Sequence, residues 1–359
     1  MRRWVWMPLL LAALMAALWA AMLRLGWPMP AHPADLAALH GPLMISGFLG
    51  TLVSLERAVA LNWKWSYAAP ALALAGSAAL MIGGLESVAN ICMTLASVVL
   101  LLTMAVLARR FRMLYMWVMV VAVICWVAGN GLWWAGFPVA RVVGLWSAFL
   151  VLFIAAERLE LSRIVAPPKR SKVYFVVAAF VILLGVALGL VFPDAGSRVL
   201  GIGFIAMAGW LNAYDVARPV AGLPAATKFM SIGLRLGYFW LAIGGLLATM
   251  AGAQTAGPTY DAELHTVFVG FVFSMILAHS IVILPAVLGL PQLAFPPALY
   301  LPFWLLHVSL FFRIAGDLRG DMVMRRSVGT WNAVAILLHF AILGFTVRRT
   351  MVAAARAKG

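Results

Sequence analysis

Long runs of apolar residues follow one another along the chain, each ended by a short cluster of charge, proline or glycine. The runs predict helices over about 4–26, 36–62, 65–84, 87–107, 112–134, 138–161, 173–192, 196–217, 228–252, 261–289, 298–317 and 328–350, since about 20 apolar residues are needed to cross a bilayer. The connections are short, so neighbouring helices should run antiparallel. The first run, Trp4 to Leu25, is longer than the apolar stretch of a secretory signal and lacks a small-residue cleavage pattern, so it is read as a span. The expected fold class is all-α, a polytopic membrane bundle of about twelve helices forming a single transmembrane domain over 1–359.

Composition agrees. Hydrophobic residues make up 65% of the 359 and charged residues 10%, whereas a soluble domain carries about 25% charge to wet its surface. Twelve spans consume about 240 residues, which excludes large domains outside the membrane. The net charge of +15 would suggest nucleic acid in a soluble chain, but no basic run alternates with aromatics here and membrane proteins collect Lys and Arg in cytoplasmic loops. With the N-terminus inside, nineteen of the 26 Lys and Arg fall on the inner side. A multi-pass protein of a bacterial-type inner membrane, both termini cytoplasmic, is therefore expected. One outer connection breaks the rule: Arg313, Arg319, Arg325 and Arg326 surround the end of span eleven, with Asp317 and Asp321 among them. Cys92 and Cys125 lie inside apolar runs and imply no disulfide framework.

An internal repeat relates spans two and six. HGPLMISGFLGTLVSLERAVAL from His40 aligns with RVVGLWSAFLVLFIAAERLELS from Arg141, matching Ser46 to Ser147, Phe48 to Phe149 and Glu56-Arg57 to Glu157-Arg158. Span ten, HTVFVGFVFSMILAHSIVILPA from His265, has the same length and polarity without the Glu-Arg end. The expectation is three arcs of four helices, over 1–107, 112–217 and 228–350, with spans two, six and ten equivalent.

Six histidines are present, and all but His32 fall in predicted spans. Imidazole in hydrocarbon requires a partner, so each is a functional candidate or a member of an interhelical hydrogen bond. His40 and His265 enter their helices from the same side, each about 6 Å inside the helix start. Two imidazoles at one depth suit the two faces of a haem. Gly41, Gly47, Gly50 and Gly270 would let a porphyrin edge approach the backbone or serve ordinary helix packing. Arg313, Arg325 and Arg326, with Arg141 in the repeat slot that elsewhere holds histidine, are candidate partners for the propionates, arginine being suited to carboxylates. His279, His307 and His339, with Glu263 at the outer edge, are further candidates for a second haem or a copper. No CxxCH is present, so covalent c-type haem is excluded.

These residues resemble two families. HGPLM at the start of span two, HTVFVGFVFSM in span ten, and Arg325-Arg326 followed by Trp331-Asn332 are similar to haem-copper oxidase subunit I. That resemblance implies twelve helices in three arcs, His40 and His265 as low-spin haem ligands and Arg325 and Arg326 as propionate contacts. The oxidase pattern of copper-ligating histidines is missing from spans six and seven, and Glu263 stands where its tenth helix carries a second histidine, so the oxygen-reducing centre is not expected. A closer resemblance is to the NnrS family of membrane haem proteins, carried by His265, Gly270, Met275, Leu277 and Ala278. It implies haem b and a role in nitric oxide metabolism, denitrification or electron transfer, with a redox partner and a small gaseous ligand. The alternatives are a divergent nitric oxide or oxygen reductase with a relocated metal centre, and a cofactor-free membrane transporter.

Overall fold

A computed structural model describes residues 3–30, 35–217 and 223–356 of the chain; His32, Arg218 and Lys358 lie outside them. Among the described residues the chain is helical with no strand. Helix is the form that a single segment can adopt in lipid with its own backbone groups satisfied. Twelve segments follow one another: α1 (Trp6–Arg24), α2 (Leu36–Leu61), α3 (Lys64–Ile82), α4 (Glu86–Phe111), α5 (Leu114–Trp134), α6 (Val139–Val165), α7 (Arg170–Val191), α8 (Pro193–Tyr214), α9 (Ala225–Ala251), α10 (Pro258–Leu288), α11 (Pro297–Arg319) and α12 (Met322–Arg356). Among the described residues eleven are long and apolar enough to cross a membrane, so this is a multi-pass membrane protein suited to a lipid bilayer. α8 is the exception to the expected twelve. Its start, Pro193 to Arg198, is polar, and Gly201, Gly203 and Gly209 dilute the rest.

Helix ends follow local chemistry. Pro193 and Pro258 open α8 and α10, where a missing N–H costs nothing. Gly252, Gly289 and Gly320 end α9, α10 and α11 with positive φ, a conformation open to glycine. Asn62 and Arg112 end α2 and α4 in the same left-handed region without that advantage.

The chain divides into two compact units: Met1–Glu160 with Gly189–Val191, and Leu161–Leu188 with Phe192–Gly359. In the first unit a polar knot sits among apolar side chains. Asn130 of α5 accepts from Ser46 of α2 (2.8 Å) and from the Trp146 indole of α6 (3.0 Å), and donates to the Met93 carbonyl of α4 (3.0 Å). The Trp126 indole donates to the Ser46 hydroxyl at 3.1 Å. One buried amide thereby ties four helices. At the Glu-Arg ends Arg57 bonds both Glu56 and Glu157, the latter at 2.9 Å, so the two arms of the sequence repeat meet through charge.

In the second unit α8 and α9 approach backbone to backbone, since a Cβ on Gly201 would lie 2.4 Å from the Gly245 carbonyl. Arg198 reinforces the contact by bonding Asp194 and the Thr249 carbonyl, at 2.9 and 2.7 Å. Phe229, Ile281, Leu299, Phe303 and Leu343 form a core shared by α9, α10, α11 and α12.

The two helices that carry His40 and His265 both change pitch. α2 is π-helical over Leu43–Leu49 and α10 over Thr266–Phe273, while α6 stays α-helical over Val139–Ser162. Pro42, without an N–H, removes one α-type bond just before the first widened stretch. Hydroxyls bond carbonyls at both: Thr51 to Gly47 O (2.6 Å) and Ser274 to Gly270 O. Widened turns of this kind recur at functional sites.

Candidate functional site

One end of the second unit gathers three of the predicted residues, His265, Arg313 and Arg325, around Asp261. His265 closes the first α-helical stretch of α10, and its Nδ1 lies 2.7 Å from the Asp261 carbonyl, one turn earlier. A carbonyl only accepts, so Nδ1 carries a proton, and in the neutral ring Nε2 carries the lone pair. That is the tautomer a metal-ligating histidine adopts when a backbone oxygen orients its ring.

Asp261 itself is 2% exposed and is gripped from two other helices. Its Oδ2 lies 2.7 Å from Arg313 of α11 and 2.9 Å from Arg325 of α12, and 3.6 Å from the His265 Nδ1. Arg325 also reaches Asp317 of α11, Nε to Oδ1 at 3.0 Å. Two carboxylates and two guanidiniums thus balance in a buried cluster. Of the four arginines that stand out in the charge pattern, Arg313 and Arg325 are neutralised inside the protein, whereas Arg319 is exposed. Asp261 completes the cluster and was not singled out from the sequence; its place four residues before His265, on the same helix face, was the available signal. Asp317 was noted as an arginine partner. Asp321 instead begins α12, accepting from the Met324 amide at 2.9 Å.

Arg326 is half-buried and follows Arg325 in the first turns of α12. Glu263 is half-buried, and the Thr266 hydroxyl bonds its carbonyl. In the first unit His40 is half-buried, with Nδ1 3.0 Å from the Ala17 carbonyl of α1. The same reasoning puts its lone pair on Nε2. Arg141 donates to the Leu190 carbonyl at 2.9 Å.

Of the two roles open to Gly41, Gly47, Gly50 and Gly270, the contacts they make are those of helix packing. A Cβ on Gly47 would lie 2.4 Å from the Ser77 hydroxyl, one on Gly50 2.4 Å from the Trp126 ring, and one on Gly270 2.5 Å from Trp240 Cβ. Gly41 faces Val139 at 3.5 Å. Each space is filled by a neighbouring side chain of the same unit, the role small residues commonly take between membrane helices.

The remaining histidines divide by tautomer. His279 repeats the His265 arrangement, Nδ1 2.8 Å from the Met275 carbonyl. His307 differs. The Trp240 indole, a donor only, bonds its Nδ1 at 3.0 Å, so Nε2 holds the proton and points to Ser274 at 3.5 Å. Both its nitrogens are engaged in joining α9, α10 and α11. His339 donates from Nε2 to Ser280 (2.9 Å), whose own proton goes to the Leu277 carbonyl, and its Nδ1 is buried with no hydrogen-bond partner. Among the described residues no three His, Cys, Asp or Glu side chains converge as a metal-binding group. Glu263, His279, His307 and His339 are therefore not brought together as one centre.

No curated protein matches the chain. The model of the family described as Domain of unknown function (DUF8744) matches residues 3–348, and the chain belongs to that family.

Proposed function

We propose that the protein is an integral membrane haem b protein, NnrS-like and built on a scaffold of the haem-copper oxidase subunit I type, serving electron transfer or the handling of nitric oxide. The observation that carries this reading is the His265 ring, held by a backbone carbonyl in the Nδ1–H tautomer beside a buried carboxylate clamped by two arginines. His40 supports it from the first unit with the same tautomer. Bound haem would supply a one-electron couple and affinity for a diatomic gas.

The chain's own contribution is separable from that chemistry. The Asp261 carbonyl orients His265 and keeps Nε2 basic. Arg313 and Arg325 fix Asp261, and so fix the turn on which His265 stands. Their charge is matched by Asp261 and Asp317. The oxidase resemblance assigns Arg326, which follows Arg325 at the start of α12, to a propionate. Arg141, engaged by Leu190, is not assigned that role. His279 has the tautomer that suits a second haem or copper held through Nε2, whereas His307 and His339 join helices by hydrogen bonds.

The membrane is a bacterial-type inner membrane with both termini cytoplasmic, on the basis of the Lys and Arg distribution. A cofactor-free transporter is the competing reading, favoured by two widened helices and a buried ionic cluster. Iron and copper analysis with a pyridine haemochromogen assay on the purified protein tests the proposal. Iron with non-covalent haem b is expected. Folded protein holding neither overturns it and leaves the transporter.

A further inference from the structure

On the second unit, α7 and α8 pack tightly at one end and leave a groove at the other. A Cβ on Gly185 would lie 2.4 Å from the Leu200 backbone nitrogen, and one on Gly203 2.8 Å from that of Ile182. Toward the start of α7 an open groove of about 350 Å³ lies over Ala178, Ala206 and Gly209, walled by Tyr174, Trp210 and Tyr214. The aromatic end is ordered. The Tyr174 and Tyr214 rings lie 6.4 Å apart, those of Trp210 and Tyr214 6.0 Å, and the Trp210 indole donates to the Ser171 carbonyl at 2.7 Å. Gly209 is open, for a Cβ there would meet nothing within 4 Å.

Exposed charge at the mouth is basic, the neighbouring Asp215 being buried and bonded by Tyr238. Lys169, Arg170 and Lys172 are exposed where α7 begins. Arg170 precedes Tyr174 by four residues and Ala178 by eight, so all three share one helix face. The guanidinium therefore starts about one turn, roughly 5 Å, beyond the tyrosine that ends the groove. Lys172 is displaced by about 200° around the helix and faces away. An aromatic rim with cations beyond it and an apolar channel within has the order of a membrane interface: headgroup, boundary, hydrocarbon.

We propose that this groove binds one anionic phospholipid, an acyl chain lying over Ala178, Ala206 and Gly209 and the phosphate paired with Arg170 and Lys169. The site is independent of the haem reading. The test is native mass spectrometry of the full chain released from micelles doped with equal phosphatidylglycerol and phosphatidylcholine. The wild type should retain phosphatidylglycerol preferentially. Arg170→Gln should lower that preference about fivefold at low salt, from about 1 kcal/mol per interfacial cation, while Lys172→Gln changes it less than about twofold. Gly209→Leu, or Ala206→Leu at a second exposed position of the floor, should displace the lipid while leaving the protein monodisperse. Equal retention of both lipids by the wild type, equal losses in Arg170→Gln and Lys172→Gln, or full retention by both floor variants would overturn the proposal.

Discussion

Replacing Asp261 by Asn keeps the shape of the side chain and removes the charge that Arg313 and Arg325 share. The carboxylate is 2% exposed and lies 2.7 and 2.9 Å from the two guanidiniums, so little water screens the contact. Removing one partner from a buried ion pair costs about 3–5 kcal/mol, because the other charge stays buried without compensation. Asp317 remains 3.0 Å from Arg325 and holds part of the balance, which puts the expected loss near the lower end. A loss of about 3 kcal/mol is roughly a hundredfold in the unfolding equilibrium constant. Equilibrium unfolding in mixed detergent micelles, followed by tryptophan fluorescence, reads it directly. A double-mutant cycle sharpens the test: Asp261→Leu with Arg313→Met should cost at least about 1.5 kcal/mol less than the two single changes added together. A loss below about 1 kcal/mol for Asp261→Asn, or strict additivity in the cycle, would refute the reasoning that the cluster is a coupled buried network.

Three further changes probe the packing of the separate units. Asn130→Leu deprives Ser46 and Trp146 of an acceptor and the Met93 carbonyl of a donor, and should lower stability by about 1–3 kcal/mol; an unchanged thermal midpoint would remove the knot from the account. Gly270→Val must push Trp240, whose Cβ would lie 2.5 Å away, and should cost about 1–3 kcal/mol. Gly344→Ala meets nothing within 4 Å and should be neutral or stabilising by up to about 1 kcal/mol; similar losses in both glycine variants would contradict the packing assignment.

The apolar runs were sufficient to read the helices because a lipid-facing helix leaves few alternatives for its backbone. α8 is the informative exception: its polar opening and glycines suit the close approach to α9 more than contact with lipid. The charge anomaly at Arg313 and Arg325 was legible as an anomaly. Its resolution required knowing that α10, α11 and α12 bring Asp261 and Asp317 to those arginines, which no spacing within one helix reveals. The role of Gly50 and Gly270 was ambiguous for the same reason, since a small residue can admit a cofactor or a neighbour's indole. The π-helical stretches left only an indirect trace, Pro42 in α2, because pitch depends on which carbonyl each amide chooses. Histidine tautomers were beyond reach of sequence, and they separate His265 and His279 from His307 and His339.

The central claim is that His265 presents Nε2 to haem iron. It is tested most directly by the visible spectrum of purified His265→Ala beside the wild type, each recorded before and after addition of free imidazole. The account predicts sharp Soret and α bands of six-coordinate haem b in the wild type, their loss in the variant, and their return with imidazole. A variant with the wild-type spectrum, or a folded wild-type protein without pigment, would contradict it.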